Sequence, residues 1–307
     1  MQRYGDELVF AEGDCGICGV ESTLNPDGSM LMHMTKYILD FLHVAGMDAL
    51  PGALTASVTT NGGIFAPSQG SLLAPADVTQ FQKNNGAMIH MLSTRFDITM
   101  ELRHLCTKNQ RPTTSDRAKQ IHLMRYLKAF PSIGPVFSSN PANYADGVTV
   151  EVEVDASHAT HTESGASHTA FHLKVGTCNA PFLAYSRAED GVSLSPHESE
   201  YVGMARAAKT AMYFRQFAED LHFPQLQPTK IKEDSRTAIN LAIAPAISRL
   251  SRHIAQKHPL LRWLYVEKKV LPVHVGKHDI NLNGMTKTLG PTDFLYFRHH
   301  LFHPFRV

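Results

Sequence analysis

The stretch VTVEVEVD, residues 148–155, alternates strictly between apolar and polar side chains. Its valines, at every second position from Val148 to Val154, share one face of an extended chain, and its threonine and acidic residues share the other. The pattern predicts a half-buried β-strand that ends in a carboxylate, Asp155.

Two more strands and then a helix are predicted after this strand. SHTAFHLKVG (167–176) and APFLAYSR (180–187) have the composition of strands, and the TCN between them is short enough for a hairpin. A helix begins in SPHESEYVGM (195–204), where Ser195 is at the N-cap, a proline follows, and Glu198 is three residues on. This spacing predicts a capping box, in which Glu198 accepts a hydrogen bond from the backbone N–H of Ser195.

Glu200 lies two residues after Glu198, about 200° around the helix, so the two carboxylates face different ways. Glu200 begins the apolar stripe that continues through Met204 to Leu221. A carboxylate on such a face is costly unless something uses it, so we interpret Glu200 as a functional group. The alternative is that Glu200 lies in an exposed first turn and only complements the helix dipole.

Carboxylates also occur where later elements meet. TKIKED (229–234) predicts a strand whose last residue, Asp234, comes before Ser235 and a helix. Functional sites of α/β folds lie at such strand ends, although a helix N-cap is an equal use for Asp234. VLPVHV (270–275) predicts a final strand, and the segment after it a turn and short helix that carry Asp279 and Asn283.

The composition is that of a globular chain, with 307 residues, 43% hydrophobic residues and a net charge of +1, enough for one large domain or two smaller ones. No run approaches the roughly 20 apolar residues of a membrane span. The four cysteines are too sparse for a disulfide framework, and CGIC (15–18) lacks the second pair that a zinc site needs. We therefore expect an intracellular protein, in the cytoplasm or nucleus, with no membrane partner.

The first half of the chain predicts a helix at 35–47, a loop or linker at 51–77 and helices within 81–130. Residues 101–128 have seven basic against two acidic side chains, and residues 249–269 have six against one. Each stretch is as consistent with a solvated helix face as with a phosphate-binding surface. The candidates for contact with nucleic acid are Arg125, Lys128, Lys257, His258 and Arg262.

Five segments, in the same order, resemble the C-terminal part of copia-type LTR retrotransposon Pol polyproteins. They are DASHA (155–159), SPHESEYVGM (195–204), EDSRTAI (233–239), KHPLLRWLYVEKKV (257–270) and INLNGMTKTL (280–289). They are similar to the family's DADWA, SSTEAEYxAL, CDNQSAI, KHIDIRYHFxREKV and QLADILTKPL. The resemblance extends upstream, where the chain would begin late in the reverse-transcriptase palm, after the paired catalytic aspartates. No polymerase active site is therefore expected in this chain.

The resemblance implies an α/β fold with a ribonuclease H-like five-stranded mixed sheet and flanking helices at 148–290. A reverse-transcriptase palm or thumb remnant with a linker (1–80) and a helical connection (81–147) would precede it. The basic and aromatic tail at 291–307 would either dock on the protein or stack on nucleic acid.

The resemblance also implies chemistry. Ribonuclease H hydrolyses the RNA strand of RNA–DNA hybrids with two Mg²⁺ or Mn²⁺ ions held by carboxylates. Residue by residue, it places Asp155, Glu200 and Asp234 at catalytic, metal-binding positions. The fourth carboxylate falls on Asn283, which is neutral, and Asp279 is a candidate substitute one helical turn earlier.

Several departures from the family keep two functions open. Ser157 and His158 replace an aspartate and a tryptophan, and TESGASH (162–168) replaces a basic loop. The chain is either a metal-dependent nuclease, with an RNA–DNA hybrid or other nucleic acid and other Pol-derived chains as partners, or an inactive remnant that binds nucleic acid or protein. A zinc set of His158, His161, His168 and His172 is a weaker reading than ordinary packing.

Overall fold

The computed structural model describes residues 15–59, 63–138, 149–161, 164–175, 180–244, 259–276, 279–280 and 282–302. The strands are β1 (Cys15–Ile17), β2 (Val20–Leu24), β3 (Met30–His33), β4 (Val136–Phe137), β5 (Val150–Ser157), β6 (His168–Val175), β7 (Pro181–Ala188), β8 (Thr229–Glu233) and β9 (Val270–His274). The helices are α1 (Thr35–Val44), α2 (Pro75–Met91), α3 (Thr99–Thr107), α4 (Thr114–Ala129), α5 (Pro196–Asp220), α6 (Arg236–Ile243), α7 (Pro259–Val266), α8 (Asn283–Thr286) and α9 (Pro291–Phe302).

The second half of the chain forms a five-stranded sheet in the order β7-β6-β5-β8-β9. Strands β5, β6 and β7 pair antiparallel, whereas β8 and β9 are parallel to β5. Helices α5, α6 and α7 pack together beside this sheet. The predicted ribonuclease H-like five-stranded mixed sheet with flanking helices is confirmed.

Strand β5 shows the predicted alternation in part, because Glu153 on the polar face is also buried, where it pairs with His172 and Lys174. Val150, Val152 and Val154 are buried in the core shared with α5. The expectation that the strand ends at Asp155 is wrong, because pairing with β6 continues to Ser157 and Asp155 lies opposite Ala170. Val148 lies outside the described residues.

Helix α5 lies against the sheet at a glycine. A Cβ atom on Gly203 would be 3.2 Å from methyl carbons of both Val154 and Thr169. The absence of a side chain therefore permits a close approach of the helix to β5 and β6. Glu200, almost one turn earlier in the same helix, is carried towards the edge of the sheet where β5 passes Asp155.

The first half of the chain has its own antiparallel sheet, in the order β1-β2-β3-β4. The predicted helices are present, but the predicted linker ends early because α2 begins at Pro75, with this proline in the first turn. Among the helices of the described ranges, none has the length and apolar character that a membrane span requires.

Helix α9 belongs to the core of the first half. Phe294, Phe297 and Phe302 are at most 2% exposed and join the same apolar cluster as Phe96 and Tyr126. Residues 291–302 therefore dock on the protein, which is one of the two uses expected for the tail. Helix α3 also packs against β7, and α8 packs against β5 and β6, so the two halves are in contact.

Candidate metal centre

Three carboxylates converge beside the five-stranded sheet. One oxygen from each of Glu200, Glu233 and Asp234 lies within 4.8 Å of the others, and this is the one such group of three or more potential ligands in the described ranges. Asp155 is close enough for its charge to act on Glu200 and Glu233. The structure therefore groups two of the three sequence-predicted carboxylates, Glu200 and Asp234, with Glu233, and it places Asp155 outside this group but close enough for its charge to act on it.

The sheet explains this convergence. Strands β5 and β8 are parallel neighbours, so their carboxyl ends lie at the same edge. Asp155 is near the end of β5, Glu233 is the last residue of β8, and Asp234 follows it. Glu200 reaches the same edge from the first turns of α5, where one of its oxygens accepts a hydrogen bond from the Ala156 N–H.

Two of the carboxylate oxygens are buried without a donor. Glu233 is 0% exposed, and its Oε1 accepts a hydrogen bond from the Ser235 N–H at 2.9 Å. The Oε2 atoms of Glu200 and Glu233 are buried and have no hydrogen-bond partner in the described part of the chain. Unsatisfied buried oxygens are costly, and a bound cation is one way of satisfying them.

Proton affinity at this centre is unusually high. Burial, followed by the charges of Glu233, Asp155 and Asp234, raises the pKa of Glu200 to about 10. Burial also raises the pKa of Glu233 well above its ordinary value, against the lowering effect of the Ser235 N–H. Several negative charges cannot be held here together at neutral pH without a compensating positive charge.

Glu198 and Glu200 have the different uses that their spacing predicts. Glu198 is 1% exposed, its backbone N–H donates to Ser195 Oγ at 3.2 Å, and its carboxylate accepts from the backbone N–H of Leu194 at 2.8 Å. The backbone N–H that donates to the Glu198 carboxylate is thus that of Leu194, one residue before the expected Ser195. Glu198 stabilises the start of α5 and is not part of the acidic group.

The N-cap alternative for Asp234 is wrong. Ser235 is the N-cap of α6, and its Oγ accepts a hydrogen bond from the Ala238 N–H at 3.3 Å.

Sequence reasoning missed Glu233, although a signal was present. Thr229, Ile231 and Glu233 alternate along β8 and are all buried. The period of two would have placed Glu233 on the inward face.

Helix α8 completes the edge of the centre. Thr286 is fully buried, and its Oγ1 donates to Asp155 Oδ2 at 2.7 Å. Asn283 begins this single-turn helix. The expectation that Asp279 precedes Asn283 on one helix face is wrong, because Asp279 is exposed in the preceding turn and its carboxylate accepts from the Gly276 N–H at 3.1 Å.

The predicted nucleic-acid contacts receive little support. Lys128 Nζ donates to the carbonyls of Met47, Asp48 and Leu50, and Arg125 Nε donates to the carbonyl of Pro51. These two side chains hold a loop of the protein, so the expectation that they face nucleic acid is not supported. Arg262 lies half-buried on α7. Lys257 and His258 lie outside the described residues.

The four histidines of the considered zinc set separate into different contacts. His161 Nε2 and His168 Nδ1 are 2.9 Å apart, whereas His172 Nε2 lies 3.0 Å from Glu153 Oε2 and His158 Nδ1 lies 3.3 Å from Ser167 Oγ. A shared metal is therefore not indicated. Burial, followed by the neighbouring histidines, lowers the pKa of His168 to about 3.

Sequence comparison identifies relatives among retrotransposon proteins. Retrovirus-related Pol polyproteins from transposons RE2 and RE1 of Arabidopsis thaliana are 23% identical over 284 residues and 24% identical over 285 residues, in both cases 91% of this chain. The chain spans 18% of the length of each of these curated relatives. An uncharacterised mitochondrial protein of the same plant is 26% identical over 192 residues, covering 62% of this chain and 74% of that protein. The predicted resemblance to retrotransposon Pol polyproteins is confirmed.

No protein-family model matches the chain. Similar solved structures include ribonuclease H1 from Halobacterium salinarum, with 14% identity, a TM-score of 0.33, and coverage of 45% of this chain and 91% of that one. LC11-RNase H1 in complex with an RNA/DNA hybrid has 10% identity, a TM-score of 0.32, and coverage of 43% and 88%. A foamy viral protease-reverse transcriptase in complex with double-stranded DNA has 13% identity, a TM-score of 0.32, and coverage of 76% and 40%. The fold assignment rests on strand order and direction.

Proposed function

We propose that this chain carries a ribonuclease H-type nuclease of retrotransposon origin, which hydrolyses the RNA strand of RNA–DNA hybrids with divalent cations. The observation that carries the proposal is the convergence of Glu200, Glu233 and Asp234, with Asp155 beside them, at the carboxyl ends of two parallel strands. The relationship to Pol polyproteins supports a nucleic-acid substrate.

The residues present fit Mg²⁺ or Mn²⁺. Both ions prefer oxygen ligands, and the centre offers carboxylate oxygens, two of which are buried without a donor. Asp155, Glu200 and Asp234 would hold the ions of a two-metal site. When bound, such ions activate water and stabilise charge that develops on the phosphate.

The protein's own groups fix this centre in place. The Thr286 hydroxyl holds one oxygen of Asp155, and the Ala156 N–H holds one oxygen of Glu200. The Ser195 cap and the close approach at Gly203 fix the direction from which Glu200 enters. Their combined effect is to fix the orientation of Asp155 and Glu200, which is the preorganisation that a hydrolytic site requires.

We also propose that residues 1–80 are a remnant of a reverse-transcriptase palm or thumb and that residues 81–147 are a connection. Strands β1 to β3 lie in the first part and helices α3 and α4 in the second, whereas α2 crosses residue 80 and β4 of the second part pairs with β3 of the first. Other Pol-derived chains would be partners of these parts, and an RNA–DNA hybrid the partner of the acidic edge.

The direct test is cleavage of a labelled RNA–DNA hybrid in Mg²⁺ and in Mn²⁺. Wild type should cut the RNA strand, Asp155→Asn should abolish cleavage, and Glu198→Gln should retain it because Glu198 is only a cap. A folded wild type that binds the hybrid and never cuts it would favour the second candidate, an inactive nucleic-acid-binding remnant. The observation that favours this second candidate is the neutral Asn283, which stands where the resemblance implies a carboxylate.

A further inference from the structure

We infer that Glu233 is itself a cation ligand of the candidate metal centre and supplies the negative charge that the neutral Asn283 does not. This inference rests on the proposed function, since it concerns the same site. It assigns the compensating role to the last residue of β8 instead of to Asp279, which is engaged with the Gly276 N–H in a separate turn.

The position of Glu233 carries the inference. Its side chain is fully buried, and one of its oxygens lies within 4.8 Å of oxygens of both Glu200 and Asp234. Successive residues of a strand point to opposite faces, yet Glu233 and Asp234 reach the same group because β8 ends between them. The strand end therefore presents two consecutive carboxylates to one place.

Hydrogen bonding within the protein accounts for only one of the two carboxylate oxygens of Glu233. The Ser235 N–H satisfies Oε1, whereas Oε2 is buried with no donor in the described part of the chain. A hydrogen bond between Oε2 and Asp234 would require a proton on one of the two carboxylates. The nearest basic strand residue, Lys232, points to the other face, where it pairs with Glu151 and Glu153.

A divalent cation would balance the negative charge of these carboxylates and would satisfy Glu233 Oε2 without a hydrogen-bond donor from the protein. The grouped carboxylates Glu200, Glu233 and Asp234 and the nearby Asp155 would then supply four negative charges. This is the number that Asp155, Glu200, Asp234 and an acidic residue 283 would supply without Glu233. Ligand charge is a main determinant of affinity for hard cations, so a ligand relocated to an adjacent strand end can compensate for a neutral residue in α8.

The experiment measures Mn²⁺ binding by isothermal titration and by the electron paramagnetic resonance signal of free Mn²⁺, with hybrid cleavage measured in parallel. The variants are Glu233→Gln, Glu233→Gln with Asn283→Asp, and Glu151→Gln as a control from the same sheet. Circular dichroism and thermal melting establish that each variant is folded. Because Gln is nearly isosteric with Glu and uncharged, the buried site should tolerate the change.

We expect Glu233→Gln to weaken Mn²⁺ binding by at least about tenfold, the lower end of what loss of a supporting residue costs a metal site. Adding Asn283→Asp should recover part of the affinity, and Glu151→Gln should bind as wild type does. A wild type that binds Mn²⁺ and cleaves, with an equally tight Glu233→Gln, would overturn the inference and leave the proposed function standing. A wild type that neither binds Mn²⁺ nor cleaves would overturn both.

Discussion

Replacement of Glu200 by glutamine should stabilise the cation-free protein. Burial and the neighbouring carboxylates raise the pKa of Glu200 from 4.5 to about 10, so at pH 7 the folded chain retains a proton that an unfolded chain has lost. Each pH unit between the ordinary pKa and pH 7 costs about 1.4 kcal/mol, which gives about 3 kcal/mol in all. Glutamine fills the same space and does not ionise, so the free energy of unfolding should increase by up to this amount.

The pH dependence follows from the direction of the shift. Because the folded-state pKa is raised, the folded chain binds more protons than the unfolded chain between the two values. The contribution of Glu200 to wild-type stability is then greatest below pH 4.5 and falls as the pH rises towards 10. The advantage of Glu200→Gln should be absent near pH 4.5 and should grow through pH 7.

Urea unfolding in EDTA at pH 5, 7 and 8.5 measures this change in the free energy of unfolding. The same series in Mg²⁺ measures how much stabilisation by the cation the variant has lost. Added Mg²⁺ should stabilise wild type by mass action and should not stabilise Glu200→Gln to the same extent. The matched control is Glu198→Gln, two residues away, which should lose up to about 1 kcal/mol of capping and dipole stabilisation and keep the response to Mg²⁺. A Glu200→Gln protein that is less stable than wild type at every pH would refute the reasoning.

Three further substitutions have defined outcomes. Asn283→Asp should raise the rate of metal-dependent cleavage of an RNA–DNA hybrid, and an unchanged rate in a folded variant that binds Mg²⁺ would favour the inactive remnant. Gly284→Ala should lower the free energy of unfolding by about 1–3 kcal/mol in urea titrations, because the new Cβ would overlap the Phe297 ring; an unchanged value would mean that α8 and α9 are packed loosely. Between pH 7 and 5.5, His168→Asn should lose roughly 1 kcal/mol less stability than wild type does, because the folded-state pKa near 3 means that only the unfolded wild-type chain takes up a proton on His168 in this range. Equal losses in both proteins would show that His168 is protonated when folded.

Most of the sheet could be predicted from local pattern. Period-two alternation identified β5, strand-like composition identified β6, β7 and β9, and TKIKED before a helix start identified β8. The end of β5 was misplaced because pairing with β6 continues to Ser157, and a partner strand cannot be seen in the alternation of one strand.

The residues of the candidate metal centre could also be predicted only in part, because local pattern does not show contacts between distant parts of the chain. Asp155, Glu200 and Asp234 lie near element ends that pattern and resemblance could identify. Thr286 could not be found, because its contact with Asp155 joins residues 131 positions apart and depends on how α8 packs. Glu233 had a local signal, its place on the buried face of β8, which was overlooked in favour of the more exposed Asp234.

The docking of α9 has a consequence for how the chain matures during synthesis. Phe302 stacks on Phe96 with ring centroids 6.4 Å apart, and the Ile64 N–H donates to the Thr288 hydroxyl across 224 positions of sequence. When a ribosome has made only the first half, the apolar surface that α9 will cover is still open to water. That half therefore has to wait for the second before its core can close, and during this interval it is the part of the nascent chain most exposed to aggregation and to chaperones.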